Sequence, residues 1–69
     1  MSDERVLWTA TVPDGTLECV MISCCAGAEL QLRKHAAAGA DHVLVRELYP
    51  TKSDLYERAR MLADEYQPR

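Results

Sequence analysis

The sequence predicts an α+β fold: a four-stranded antiparallel β-meander with one C-terminal α-helix packed on one face, in the order ββββα. Three observations predict it. The segments Arg5–Val12, Leu17–Cys25 and Ala28–Lys34 carry inward and outward faces that agree from one segment to the next. Two short turn strings, Pro13-Asp14-Gly15-Thr16 and Ala26-Gly27, join them. After Pro50, apolar residues recur at helical rather than strand spacing.

The first hairpin is expected to turn on Asp14-Gly15, a strong two-residue hairpin signal. That turn sets Val12 opposite Leu17, Ala10 opposite Cys19 and Trp8 opposite Met21, all on one face. A second turn on Ala26-Gly27 sets Ser23 opposite Leu30 and Met21 opposite Leu32, on that same face. A one-residue slip would carry every apolar side chain to the wrong side, so the agreement of three strands defines a core face. The reverse face carries Thr9, Thr11, Glu18, Glu29, Gln31 and Arg33, with Leu7, Val20 and Ile22 among them.

Asp41–Tyr49 reads as the fourth strand, because Val43, Leu44 and Val45 are strand formers and Tyr49-Pro50 forces the chain out of the sheet. Its core side is open: Leu44 and Leu48 share one parity, Val43 and Val45 the other. Thr51 then reads as a helix N-cap, with Asp54 as its capping-box partner near the positive end of the dipole. Leu55, Ala59, Leu62, Ala63 and Tyr66 define the buried helix face, Asp54–Arg58 and Arg60–Asp64 offer i,i+4 pairs, and Pro68 stops the helix.

Ala28–Gly39 admits a rival reading. Its composition, ending in Ala36-Ala37-Ala38 and Gly39 as a C-cap, suits a helix and would give ββαβα with a βαβ crossover into Val43-Leu44-Val45. The alternation of Leu30 and Leu32, together with the hairpin register, favours the strand.

Sixty-nine residues form one domain, residues 1–69. A chain this short buries only about 60% of the surface its unfolded form exposes, so the core is marginal without help. An apolar content of 48% with 28% charged residues is that of a globular protein. No long apolar run suggests a membrane span, and the charged start Met1-Ser2-Asp3-Glu4-Arg5 is unlike a secretion signal, so a cytoplasmic location is expected. The net charge of −3, from eight scattered basic and eleven acidic residues, argues against a dedicated nucleic-acid binder.

Cys19, Cys24 and Cys25, with His35 and His42, raise a metal or thiol reading. Cys19 and Cys24 would lie on opposite strand faces, about 17 Å apart, whereas zinc needs ligands converging at about 2.3 Å. Adjacent Cys24-Cys25 could bridge only as a strained disulfide. Reduced thiols that act as small hydrophobes are expected, with no metal and no cofactor. His35 and His42 flank an Ala/Gly-rich loop and read as solvated loop histidines; Asp41 beside one of them suggests a general base, but no nucleophile accompanies it. Phosphate loops and hydrolase strings are absent, so no catalytic residue is assigned and an enzyme is not expected.

The uncovered sheet face is the better lead. One helix covers one side of the sheet, leaving Leu7, Val20 and Ile22 as an outward apolar stripe between Thr9, Gln31 and Arg33. These six form the candidate interface of a homodimer, and the protein reads as a small non-enzymatic interaction or regulatory module that self-associates through that face. The competing view has the long Arg33 and Glu18 stems covering the stripe. The order of four strands and a helix resembles the whirly and PC4-like transcription-cofactor folds. That resemblance implies dimers that bind single-stranded nucleic acid, although the aromatics needed on a basic groove are not evident here. The chain also resembles short bacterial reading frames that pair a β-meander with a C-terminal helix, a likeness that carries no function.

Overall fold

The computed structural model describes residues 3–67. β1 (Asp3–Val12), β2 (Gly15–Cys24), β3 (Gly27–Ala36) and β4 (His42–Tyr49) form one antiparallel sheet in the order β1-β2-β3-β4, and α1 (Lys52–Tyr66) follows. The arrangement is ββββα, and the ββαβα alternative does not form. The helix-prone composition of β3 is overridden because that strand pairs along both edges, with β2 and with β4.

Both hairpins turn one residue earlier than expected. Val12 pairs with Gly15 across Pro13-Asp14, and Cys24 pairs with Gly27 across Cys25-Ala26. Trp8 therefore stands opposite Cys19 rather than Met21, and Ala10 opposite Leu17 rather than Cys19. Met21 stands opposite Leu30 rather than Leu32, and Ser23 opposite Ala28 rather than Leu30. Each register moves by two residues, which leaves every one of these side chains on its expected face.

The displacement has a steric cause. No described residue other than glycine has a positive φ, so Asp14 does not enter the mirror-image turn that Asp-Gly would make. Proline at the first central position with glycine just after the turn is instead the composition of a type I turn. A Cβ on Gly15 would collide with the His35 carbonyl oxygen of β3, and one on Gly27 with the Tyr49 carbonyl oxygen of β4. Each glycine is required by the next strand over.

Two bulges complete the sheet. In β1 the register breaks between Val6 and Trp8, leaving Leu7 as the extra residue and placing Val6 opposite Val20. In β4 it breaks at Leu44, so Val45, Glu47 and Tyr49 share the helix side while Val43, Arg46 and Leu48 take the other. The core is formed by Leu17, Cys19, Met21, Ala28, Leu30 and Leu32 of the sheet against Leu55, Ala59 and Leu62 of α1, with Trp8, Val45, Tyr49 and Tyr66 at its margin.

The helix begins as expected. Thr51 Oγ1 accepts from the Asp54 N–H at 3.3 Å. Arg58 does not pair with Asp54; its Nε donates to Glu47 of β4 at 3.1 Å, a partner that the tertiary fold places beside it. The Arg60–Asp64 pair is likewise not formed among the described residues. The last turn closes with the Gln67 N–H on the Ala63 carbonyl at 2.9 Å, and Pro68 lies outside the described residues.

Candidate interaction face

Alternation along the strands and the antiparallel pairing place Glu4, Val6, Glu18, Val20, Ile22, Glu29, Gln31, Arg33, Val43, Arg46 and Leu48 on the face away from α1. β3 runs along the middle of a chain of polar contacts there. Arg46 Nε donates to Glu29 at 3.2 Å, and the other Glu29 oxygen accepts from the Gln31 amide. The Gln31 oxygen accepts from Arg33 Nε at 2.9 Å. Arg33 then reaches Glu4 of β1 at 2.9 Å and Glu18 of β2 at 3.9 Å. Glu18 in turn lies 3.4 Å from His35 Nε2, and Asp41 lies 3.0 Å from His35 Nδ1.

These contacts set the protonation of the face. The Gln31 amide, and after it Arg46, holds the Glu29 carboxyl below its ordinary value. Asp41 and then Glu18 hold His35 above its ordinary value. On the helix side, the Tyr49 hydroxyl and Arg58 lower Glu47.

The arginine strap changes the expected stripe. Arg33 on β3 and Glu4 on β1 meet across the intervening β2, and Val20 lies beneath that diagonal. Val20 is 0% exposed although no helix covers it. It is therefore not a solvent-facing contact residue, and the covering of the stripe by long polar side chains applies to it. Leu7 is the second correction: as the bulge residue it packs against the core instead of facing outward beside Ile22, whose β1 partner is Glu4.

Of the other four candidates, Ile22, Gln31 and Arg33 are half-buried on this face and Thr9 is exposed. The exposed apolar side chains are others, on the two edge strands: Val6 at 48%, Val43 at 54% and Leu48 at 62%, with Leu44 beside them. Sequence alternation misses them because both bulges invert the parity it relies on.

The histidines also separate. His35 is no loop residue: it lies on β3 between two carboxylates, and Asp41 contacts it rather than the adjacent His42, which is exposed. Cys19 is buried, and burial pushes its thiol up to about 11. Cys24 and Cys25 are free and exposed at the second turn. Replacing either with Ser should change stability by less than about 0.5 kcal/mol. Cys19→Ser should cost about 1–3 kcal/mol, because a hydroxyl would be stranded among leucines. Urea unfolding checks both, and a lost fold on changing Cys24 or Cys25 would overturn the structural reading of these thiols.

Among the described residues no cluster of three or more His, Cys, Asp or Glu has metal-holding geometry, and no helix is long and apolar enough to cross a membrane. No protein-family model, curated protein or solved structure matches this chain.

Proposed function

We propose that this chain is a small non-enzymatic interaction module whose uncovered sheet face receives a second copy of itself. The observation that carries the reading is the pattern of that face: exposed Val6, Val43 and Leu48 flank a centre whose arginines and carboxylates are paired with one another. A face of strong single-sign charge would repel its own copy, whereas one that is internally neutralised does not. Apolar flanks supply area to bury, and association would supplement a core drawn from so short a chain.

The same features lend less support to a single-strand nucleic-acid binder. Both arginines of the face, Arg33 and Arg46, are engaged by carboxylates. Trp8, Tyr49 and Tyr66 pack on the helix side, away from the open face. A stacking platform needs free cations and free rings in one groove.

The test is a pair of charge substitutions at the flanks. Leu48→Lys and Val6→Lys should each weaken self-association at least about tenfold, the effect of some 1.4 kcal/mol lost at an interface. Thermal melting of the monomer should hardly move, since both side chains are already exposed. Val20 is the wrong probe, because a charge there would be buried even in the monomer. Sedimentation or light scattering over a concentration series reads the result, and a wild type that stays monomeric at high concentration would refute the proposal.

A further inference from the structure

His35 stands near the end of β3, where the chain leaves the sheet for the 37–41 loop, and its ring is held from two sides. Glu18 of β2 approaches Nε2 at 3.4 Å, and Asp41, the last residue before β4, approaches Nδ1 at 3.0 Å. Ionised carboxylates only accept hydrogen bonds. A neutral imidazole has a single N–H, so it satisfies one carboxylate and turns a lone pair toward the other. An imidazolium has two and satisfies both. The arrangement is complete in only one protonation state.

The other charged groups nearby are already committed. Arg33, on the same face of β3, is spread between Glu18 and Glu4. Lys34 pairs with Asp14. Across β2 the register partner of His35 is the uncharged Thr16, and His42 opens β4 opposite Lys34. The start of the loop is fixed separately, by the Ala37 N–H on the Asp14 carbonyl at 3.0 Å.

We propose that His35 is a proton-operated clasp: protonated, it ties the Asp41 end of the loop to β2 through Glu18; neutral, it has one N–H left and can no longer hold both carboxylates, so the tie to β2 is broken. Both carboxylates raise the histidine above its ordinary value of 6.5. The stabilisation is therefore complete below pH 6.5 and is lost as pH rises through the higher folded value. Opening the clasp also leaves Glu18 with Arg33 alone, at one end of the proposed contact face; that consequence rests on the self-association reading, whereas the clasp does not.

Imidazole nitrogen shifts and backbone order parameters, followed by NMR from about pH 5 to about pH 9, test it in the wild type and in Asp41→Asn. The expected result is a His35 midpoint above 6.5. Order parameters at Ala38–Asp41 should fall from about 0.85 to below about 0.6 across that midpoint, while Ala37 stays rigid. Asp41→Asn should lower the midpoint and leave the loop mobile even at low pH, with the sheet still folded and any small loss of melting temperature confined to low pH. A His35 midpoint at or below 6.5, loop order that ignores the titration, or an Asp41→Asn protein identical to wild type would each overturn the clasp. Sedimentation on the same samples reads the oligomer separately. A monomer with a pH-gated loop keeps the clasp and removes the proposed function, and a dimer with a pH-independent loop does the reverse.

Discussion

Trp8→Ala should unfold the protein or leave it barely folded. The ring sits at the margin of the core, and its Nε1–H donates to the Ala59 carbonyl of α1 at 3.0 Å. Removing a packed tryptophan costs about 3 kcal/mol at the lower end of the usual range, which suits a half-buried ring. A core this small supplies only about 3–5 kcal/mol in total. The contact also joins the first strand to the last element, fifty-one residues apart in sequence, so its loss frees both the edge strand and the helix. Trp8→Phe separates the contributions. It keeps most of the apolar area and loses only the donor, while the Ala59 carbonyl retains its helical environment, so about 1 kcal/mol is expected. Urea unfolding of both variants reads the difference. Native fluorescence should be blue-shifted and shielded from quencher, and emission like that of free indole would place the ring in water and undo the argument.

What was legible in the sequence is what a period of two can carry. The faces of β2 and β3 follow from alternation, and they survive a hairpin register wrong by two residues because such a shift preserves parity. The bulges at Leu7 and Leu44 were not legible. A single extra residue is selected by sheet twist and by what the neighbouring strand and helix accept, none of which is local. Reversed parity beyond Leu7 moved that side chain to the core and brought Val6 to the open face.

The face itself was legible as a surface but not as a site. Ile22, Thr9, Gln31 and Arg33 lie on it as alternation requires. The burial of Val20 depends on Arg33 reaching a carboxylate twenty-nine residues away, across an intervening strand. His35 is a similar case. Its neighbours in sequence are Lys34 and a run of alanines, and the two carboxylates that define it come from β2 and from the far end of a loop. Long-range ion pairs have no spacing rule, so no local pattern announces them.

Gly27→Ala should be as damaging as the loss of Trp8, for a reason confined to backbone. Gly27 opens β3 opposite Cys24, and on its other side β4 ends at Tyr49, with Pro50 just beyond it. An added Cβ would overlap the Tyr49 carbonyl oxygen and lie 3.0 Å from Pro50 Cα and 3.1 Å from Pro50 C. All three are main-chain atoms, which cannot rotate aside as a side chain would. The glycine also sits at φ +137°, where residues with a Cβ are strained. Relief requires the end of β4 to move away from β3. The next residues, Pro50 and the N-cap Thr51, lead directly into α1, so the Thr51 cap and the packing of Leu55 move with it. A cost on the order of 3 kcal/mol is expected, from strain together with lost pairing. Gly39→Ala is the control: it has a similar φ of +142°, but the nearest atom to its Cβ would be Ala36 Cβ at 4.0 Å, an ordinary contact. Only the conformational strain remains there, about 1 kcal/mol. Urea midpoints compared at equal m-values decide between the two causes. Equal losses would assign the effect to backbone angle alone, and a much larger loss at Gly27 would assign it to the close approach of β4.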